Sequence, residues 1–465
     1  MSGFSGISEL SGGLFLKKNK VMRKTLLLLF GLALSLSANA ENITFADPHV
    51  KTVCVEHWDT DGDGELSMDE AAAVTSLGYY FSRDKGISSF DELQYFTGLV
   101  WIASSEFNDC ESLMSIQLPA QVQRIGDNAF RDCYKLTAID IPGAVSSIGE
   151  SAFNGCFRLS EVTLHEGLKT ISTLAFMSCR ALLSIGIPAS VTSIVPNAFQ
   201  GCTSVASITV ALGNTVYDSR EDCNAVILTA NNKMVLGCQN TTFPESVTTI
   251  GVAAFSGCTK LQRVDIPESV TTIEQSAFSS CSGLTSVVLP SSLTTIGNSA
   301  FYGCRKLTDL RLAEGLKTIE ASAFEQCRSL ARVTIPSTVT TLSNNVFYEC
   351  PKLVEVTVKF STPITIYSTT FSNSINATLY VPNGCVQAFE DADYWKDFWH
   401  IYEIPILGDL NHDGFVNIYD VTLMIDYILG LDPENFHVTE ADINDDTFIN
   451  IYDVTLLIDI ILAKE

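Results

Sequence analysis

The 465 residues exceed what one hydrophobic core usually supports, so the 46% of apolar residues must be buried by several domains or by a repeat array. Acidic residues outnumber basic ones 53 to 28, and the net charge of -25 argues against nucleic acid as a partner, because phosphates are bound through Lys and Arg. Part of the carboxylate excess is better suited to metal.

Residues 1–40 read as an address rather than a fold. Arg23 and Lys24 precede an apolar run over residues 26–36 and then Ala38-Asn39-Ala40, the pattern of a signal peptide cut after Ala40 with translation starting at Met22. The run is too short for a membrane span, and no Cys follows the cut to carry a lipid. The mature chain is therefore expected outside the cell, secreted or on the cell surface, with no transmembrane segment.

Residues 41–100 read as an N-terminal cap with one EF-hand-like loop. A 12-residue calcium loop wraps its ion with oxygen ligands at positions 1, 3, 5, 9 and 12, a carbonyl at 7 and a tight turn at 6. Asp59, Asp61, Asp63, Ser67 and Glu70 occupy the side-chain positions, Glu65 supplies the carbonyl and Gly64 the turn. Glu70 is placed to be bidentate, and Ser67 to act through water. Residues 71–96, an Ala-rich helix and then aromatics, lead into the array. With no second loop nearby, the reading is a structural Ca2+ rather than a sensor pair.

Residues 101–379 repeat. Cys110, Cys133, Cys156, Cys179 and Cys202 are 23 apart, and Cys258, Cys281, Cys304, Cys327 and Cys350 keep the interval. Ala-Phe precedes most of these cysteines, as in Ala129-Phe130-x-x-Cys133-x-x-Leu136, and each unit continues into an alternating strand such as Leu136-Thr137-Ala138-Ile139-Asp140-Ile141-Pro142. A period in the twenties with one short strand per unit predicts a leucine-rich-repeat solenoid with a parallel β ladder. Equivalent cysteines on stacked coils point the same way and so read as a buried thiol ladder, not a disulfide framework.

These motifs resemble the BspA-like family of bacterial surface leucine-rich repeats. The resemblance implies adhesion to host or cell-surface proteins. Cys202 to Cys258 spans 56 residues, ten more than two periods, which places an irregular insert near 211–240. A hairpin turning at Asn231-Asn232 fills it, with Cys223 and Cys238 placed to bridge across. Residues 380–404, with Tyr394-Trp395-Lys396-Asp397-Phe398-Trp399, read as the closing cap that a solenoid end requires.

Residues 405–465 contain two nearly identical units 33 residues apart. Asp409, Asn411, Asp413, Asn417 and Asp420 take loop positions 1, 3, 5, 9 and 12, Phe415 gives the carbonyl, and Asp442, Asn444, Asp446, Asn450, Asp453 and Phe448 repeat the set. Each loop runs into an apolar helix. Two loop-helix units without entering helices, and Asp rather than Glu at position 12, resemble a small all-α type I dockerin, which implies Ca2+ and a cohesin-like partner. In that family loop positions 10 and 11 contact the cohesin; here they are Ile418-Tyr419 and Ile451-Tyr452 instead of small hydroxyl residues. Thr447 replaces the usual Gly at position 6 of the second loop.

The repeat face shows no catalytic constellation. Outward strand positions such as Ala138 and Asp140, Arg263 and Asp265, or Asp309 and Arg311 isolate no carboxylate pair, and the six His show no metal-ligand spacing. A second file, Thr248-Thr249, Thr271-Thr272, Thr294-Thr295 and Thr340-Thr341, runs beside the strands. The chain is expected to be a non-catalytic interaction protein whose solenoid binds a protein or glycan. The alternative is an accessory component of a polysaccharide-degrading complex.

Overall fold

The structure, a computed structural model, describes residues 41–463 apart from 373 and 435; the segment expected to be a signal peptide and its expected cut site lie outside the described residues. Residues 89–403 wind into a parallel β-solenoid. The 23-residue period is its register: Ala138 pairs with Glu161 on one face, and Ser147 with Thr170 on another.

Each regular coil holds two strands where the sequence reading had one. The first ladder is the alternating strand, for example Ala138–Ile141 and Arg332–Ile335, in which Ile139, Ile141, Val333 and Ile335 are buried and their neighbours exposed. The second is the Thr-Ile file, with strands Thr249–Ile250, Thr272–Ile273, Thr295–Ile296, Thr318–Ile319 and Thr341–Leu342 in one sheet. Two residues are too few to display a period of two, so these strands carry no alternation to read.

The third side of the coil is the Phe-x-x-Cys turn. Its rings stack face to face at 4.9–5.6 Å along each half of the array. Each turn is framed by two residues with positive φ, such as Asn128 at 56° and Asp132 at 60°. Asn, Asp, Ser and Gly dominate these positions because a left-handed backbone penalises larger side chains. The expected thiol ladder is present: all 14 cysteines are free, and nine Sγ atoms donate to the carbonyl of the Phe one coil back at 3.0–3.4 Å. Burial pushes the Cys281 and Cys350 thiols up to about 12, which leaves them unreactive.

The insert holds the expected hairpin, Ala225–Leu228 antiparallel to Lys233–Gly237, but it does not complete a coil. Gly201 N–H donates to Ser256 O at 3.0 Å, so on the turn side the coil before the insert abuts the coil after it. On the other sides the hairpin intervenes, and Lys233–Gly237 pairs in parallel with Thr249–Ile250 to restart the second ladder. Gly237 takes the place of a Phe in the stack. A Cβ there would lie 2.2 Å from the Phe255 ring. Cys223 and Cys238 flank the hairpin unbridged, Cys238 Sγ donating to Asn224 O at 3.6 Å.

Both ends are closed by aromatic residues. Phe81 fills the Phe slot below Phe107 with ring centroids 5.7 Å apart, and Trp58 and Phe96 pack edge to face behind it. Parallel pairing begins at Ser89–Phe90, inside the segment read as cap. At the far end Trp395 is fully buried and donates Nε1–H to Ile364 O at 2.8 Å. Strands Thr378–Val381 and His400–Glu403 extend the first ladder through the closing segment. A separate small core of Leu410, Val416, Val421, Met424, Ala441, Val454 and Leu457 follows.

Candidate calcium loops and docking surface

The N-terminal loop sits between two helices, not before one. Asp47 caps the helix Pro48–Trp58 and Pro48 occupies its first turn, where a missing N–H costs nothing. That helix, which the sequence reading missed, delivers Asp59 as the first loop residue. Asp59 accepts from the N–H groups of Gly62 at 2.6 Å and Gly64 at 2.9 Å, folding the loop back on itself. One carboxylate oxygen from each of Asp59, Asp61 and Asp63 lies within 4.8 Å of the other two.

The Glu65 carboxylate takes Lys51 Nζ at 2.6 Å, so its side chain is engaged with the preceding helix. Ser67 and Glu70 form a capping box on the helix Met68–Ala73. Partial burial raises the Glu70 carboxyl, but donors from Ser67 and Thr60 outweigh it and lower the group to about 2. The Ala-rich helix that follows is six residues long, and Val74 caps its end. The loop exit pairs with the segment that leads the described chain, Ile43 N–H donating to Leu66 O at 2.8 Å.

The C-terminal loops share a common set of hydrogen bonds. Asp409 accepts from Asp413 N and Gly414 N, and Asp442 accepts from Asp446 N and Thr447 N. Asp420 takes Leu410 N and Asn417 N, and Asp453 takes Ile443 N and Asn450 N. Asn417 and Asn450 cap the helices Ile418–Ile428 and Ile451–Leu462. Asn411 and Asn444 each donate to the aspartate two residues on, and Phe415 and Phe448 offer their carbonyls to Asn417 and Asn450.

Thr447 adopts φ 72° where Gly414 has 86°, so the second loop keeps the turn at the strain of a β-branched residue in the left-handed region. One helical turn, Val438–Ala441, does enter the second loop, against the expectation of none. All three loops offer oxygen-only donors, the chemistry Ca2+ requires.

The two units also present the same surface. Ile418 and Tyr419 are 65% and 70% exposed, and Ile451 and Tyr452 are 64% and 70% exposed. The matching core residues, Val421 with Val454 and Met424 with Leu457, are equally buried. Phe415 and Phe448, credited from sequence only with carbonyls, are likewise exposed, at 71% and 69%. Their position three residues before the Ile was the available signal. On the solenoid, outward charges satisfy one another, Arg263 with Asp265 at 2.9 Å and Arg332 with Glu355 at 3.2 Å.

A search of curated proteins gives no match. Among solved structures the pneumococcal vaccine antigen PcpA is similar at 22% identity and a TM-score of 0.59, over 66% of this chain and 78% of its own. A leucine-rich cell surface protein of Faecalibacterium prausnitzii aligns at 28% identity over 56% of this chain and 77% of its own, with a TM-score of 0.48. No helix among the described residues is long and apolar enough to cross a membrane. Residues 407–462 match the type I dockerin domain, and the BspA-type leucine-rich repeat region matches in six copies over 81–218, 233–354 and 280–392. The chain belongs to the BspA-type leucine-rich repeat family and carries a type I dockerin module at its C-terminal end.

Proposed function

We propose that the protein is a non-catalytic scaffold outside the cell, released or surface-held, whose solenoid adheres to a protein or glycan and whose calcium-loaded dockerin docks onto a cohesin-like partner. Asp59, Asp61, Asp63, Glu65, Ser67 and Glu70 hold one Ca2+, and the two sets beginning at Asp409 and Asp442 hold one each. The observation that carries the docking role is the duplicated exposed patch of Ile418-Tyr419 and Ile451-Tyr452, four large apolar residues held outside a fully formed small core. Adhesion is supported by family and by a polar, charge-paired ladder face. That face includes a shallow groove lined by Asp91, Gln94, Met114, Gln117 and Asp140.

The test is calorimetry of the full chain against a panel of cohesin modules, in calcium and in chelator. Because the two units present equal patches, Ile418→Ala with Tyr419→Ala should leave most of the affinity, as should the matching pair Ile451→Ala with Tyr452→Ala. All four changes together should abolish binding while the module stays folded. Full affinity in the quadruple variant, or equal affinity in chelator, removes the docking role.

A further inference from the structure

We propose that His412, His437 and Glu440 form a transition-metal site of the Zn2+ class in the C-terminal module, distinct from its calcium loops. His437 and Glu440 are three residues apart, and the fold brings His412, 25 residues earlier, to them. His412 is the fourth residue of the first loop, not a ligand position, and its backbone is left-handed at φ 55°. Two backbone bonds bring the other residues to it: His437 N–H donates to Leu410 O at 3.0 Å, and Gly408 N–H to Glu440 O at 2.9 Å.

The imidazoles of His412 and His437 stack with centroids 3.5 Å apart and planes within 9°. Glu440 is 6% exposed, and its Oε1 lies 3.6 Å from His412 Nε2. One nitrogen from each ring and one Glu440 oxygen all lie within 4.8 Å of one another. Among the described residues this is the one such group with two imidazoles.

Chemistry selects the ion. Imidazole nitrogen suits Zn2+, Cu2+ or Ni2+ and not the hard cations Ca2+ and Mg2+, so this set does not compete with the loops. Tetrahedral Zn2+ with two His and one carboxylate leaves a fourth position for water, and its bond lengths set ligand separations of about 3.3 Å. Side-chain torsions can close the remaining gap by tilting the stacked rings toward a common point. Because His412 belongs to the first calcium loop and Glu440 to the helical turn entering the second, the ion would cross-link the two halves of the module.

The decisive measurement is titration of the full chain with ZnCl2 at saturating Ca2+, followed by calorimetry and by the visible absorption of Co2+ in its place. One equivalent of Zn2+ should bind with a tetrahedral Co2+ spectrum. Affinity should fall at least tenfold in His437→Ala, and likewise in His412→Asn, where Asn tolerates positive φ. Glu440→Gln retains size and backbone bonds, so weakening there identifies the carboxylate as a ligand in a folded module. Absence of binding in the wild type, or binding unchanged in all three variants, overturns the site and leaves a stacked His pair beside a carboxylate.

Discussion

Glu106 stands where nine other coils place Ala or Val before the Phe, and it is 1% exposed. The substitution was legible as the one break in the motif. Its partner was not, because Tyr79, whose N–H donates to Glu106 Oε1 at 3.0 Å, lies 27 residues away in a turn without periodic signal. Burial raises this carboxyl to about 6, well above the 4.5 of an unfolded chain. Since the folded pKa is the higher one, the stability this group contributes is fully present below about 4.5 and is lost as pH rises through about 6. The shift corresponds to about 2 kcal/mol at neutral pH. Glu106→Gln keeps the acceptor and removes the charge, so it should raise the melting temperature at pH 7 and leave it nearly unchanged at pH 4. Melts of both proteins at the two pH values check this; an identical pH slope would count against it.

At the scale of elements, oxygen-ligand spacing located all three loops, because a 12-residue loop fixes its ligand positions locally. The helix Pro48–Trp58 was missed although Asp47-Pro48 is a helix-start signal, since its apolar residues form only a weak stripe, with Val50 and Cys54 buried. What anchors it is non-local: Asp47 Oδ2 accepts both the N–H and the hydroxyl of Ser88 at 2.6 Å. The helix is thus tied to the first coil at its start and to the loop at its end. Glu70 in turn holds Thr60 and Ser67 across that loop. Glu70→Ala removes these acceptors and, on the proposed calcium role, one ligand as well, so the melting temperature in calcium should fall and its rise with calcium concentration should weaken, with cohesin binding retained. An unchanged melting curve in calcium would mean that the loop does not stabilise the cap.

For the whole molecule, the period was the most legible feature, because each coil repeats the same burial problem and solves it with the same residues. The joint was legible as a length of 56 between cysteines and as a hairpin turning at Asn231-Asn232, but not in how it meets the coils on either side. That number cannot distinguish an extra coil from one enlarged coil. The structure shows why the joint matters: Val226, Leu236 and Cys238 pack into the apolar cluster on the N-terminal side, and Cys223, Ala225, Ile227 and Met234 into the cluster on the C-terminal side. Adjacent hairpin residues therefore serve different cores, and the coupling between the halves runs largely through this one element. In an array whose stability is a sum over nearest neighbours, the weakest interface decides whether it melts as one unit. Ile227→Ala with Leu236→Ala strips one anchor from each side, at roughly 2–5 kcal/mol per buried site. The solenoid should then show two calorimetric transitions and become cleavable by protease near residues 211–240. Ile296→Ala, at a fully buried site within a regular run, should only lower the transition that the unaltered array already shows. If the hairpin variant also melts in one transition, shifted no differently from Ile296→Ala, the halves are coupled elsewhere, through the direct contact of Gly201 with Ser256 on the turn side.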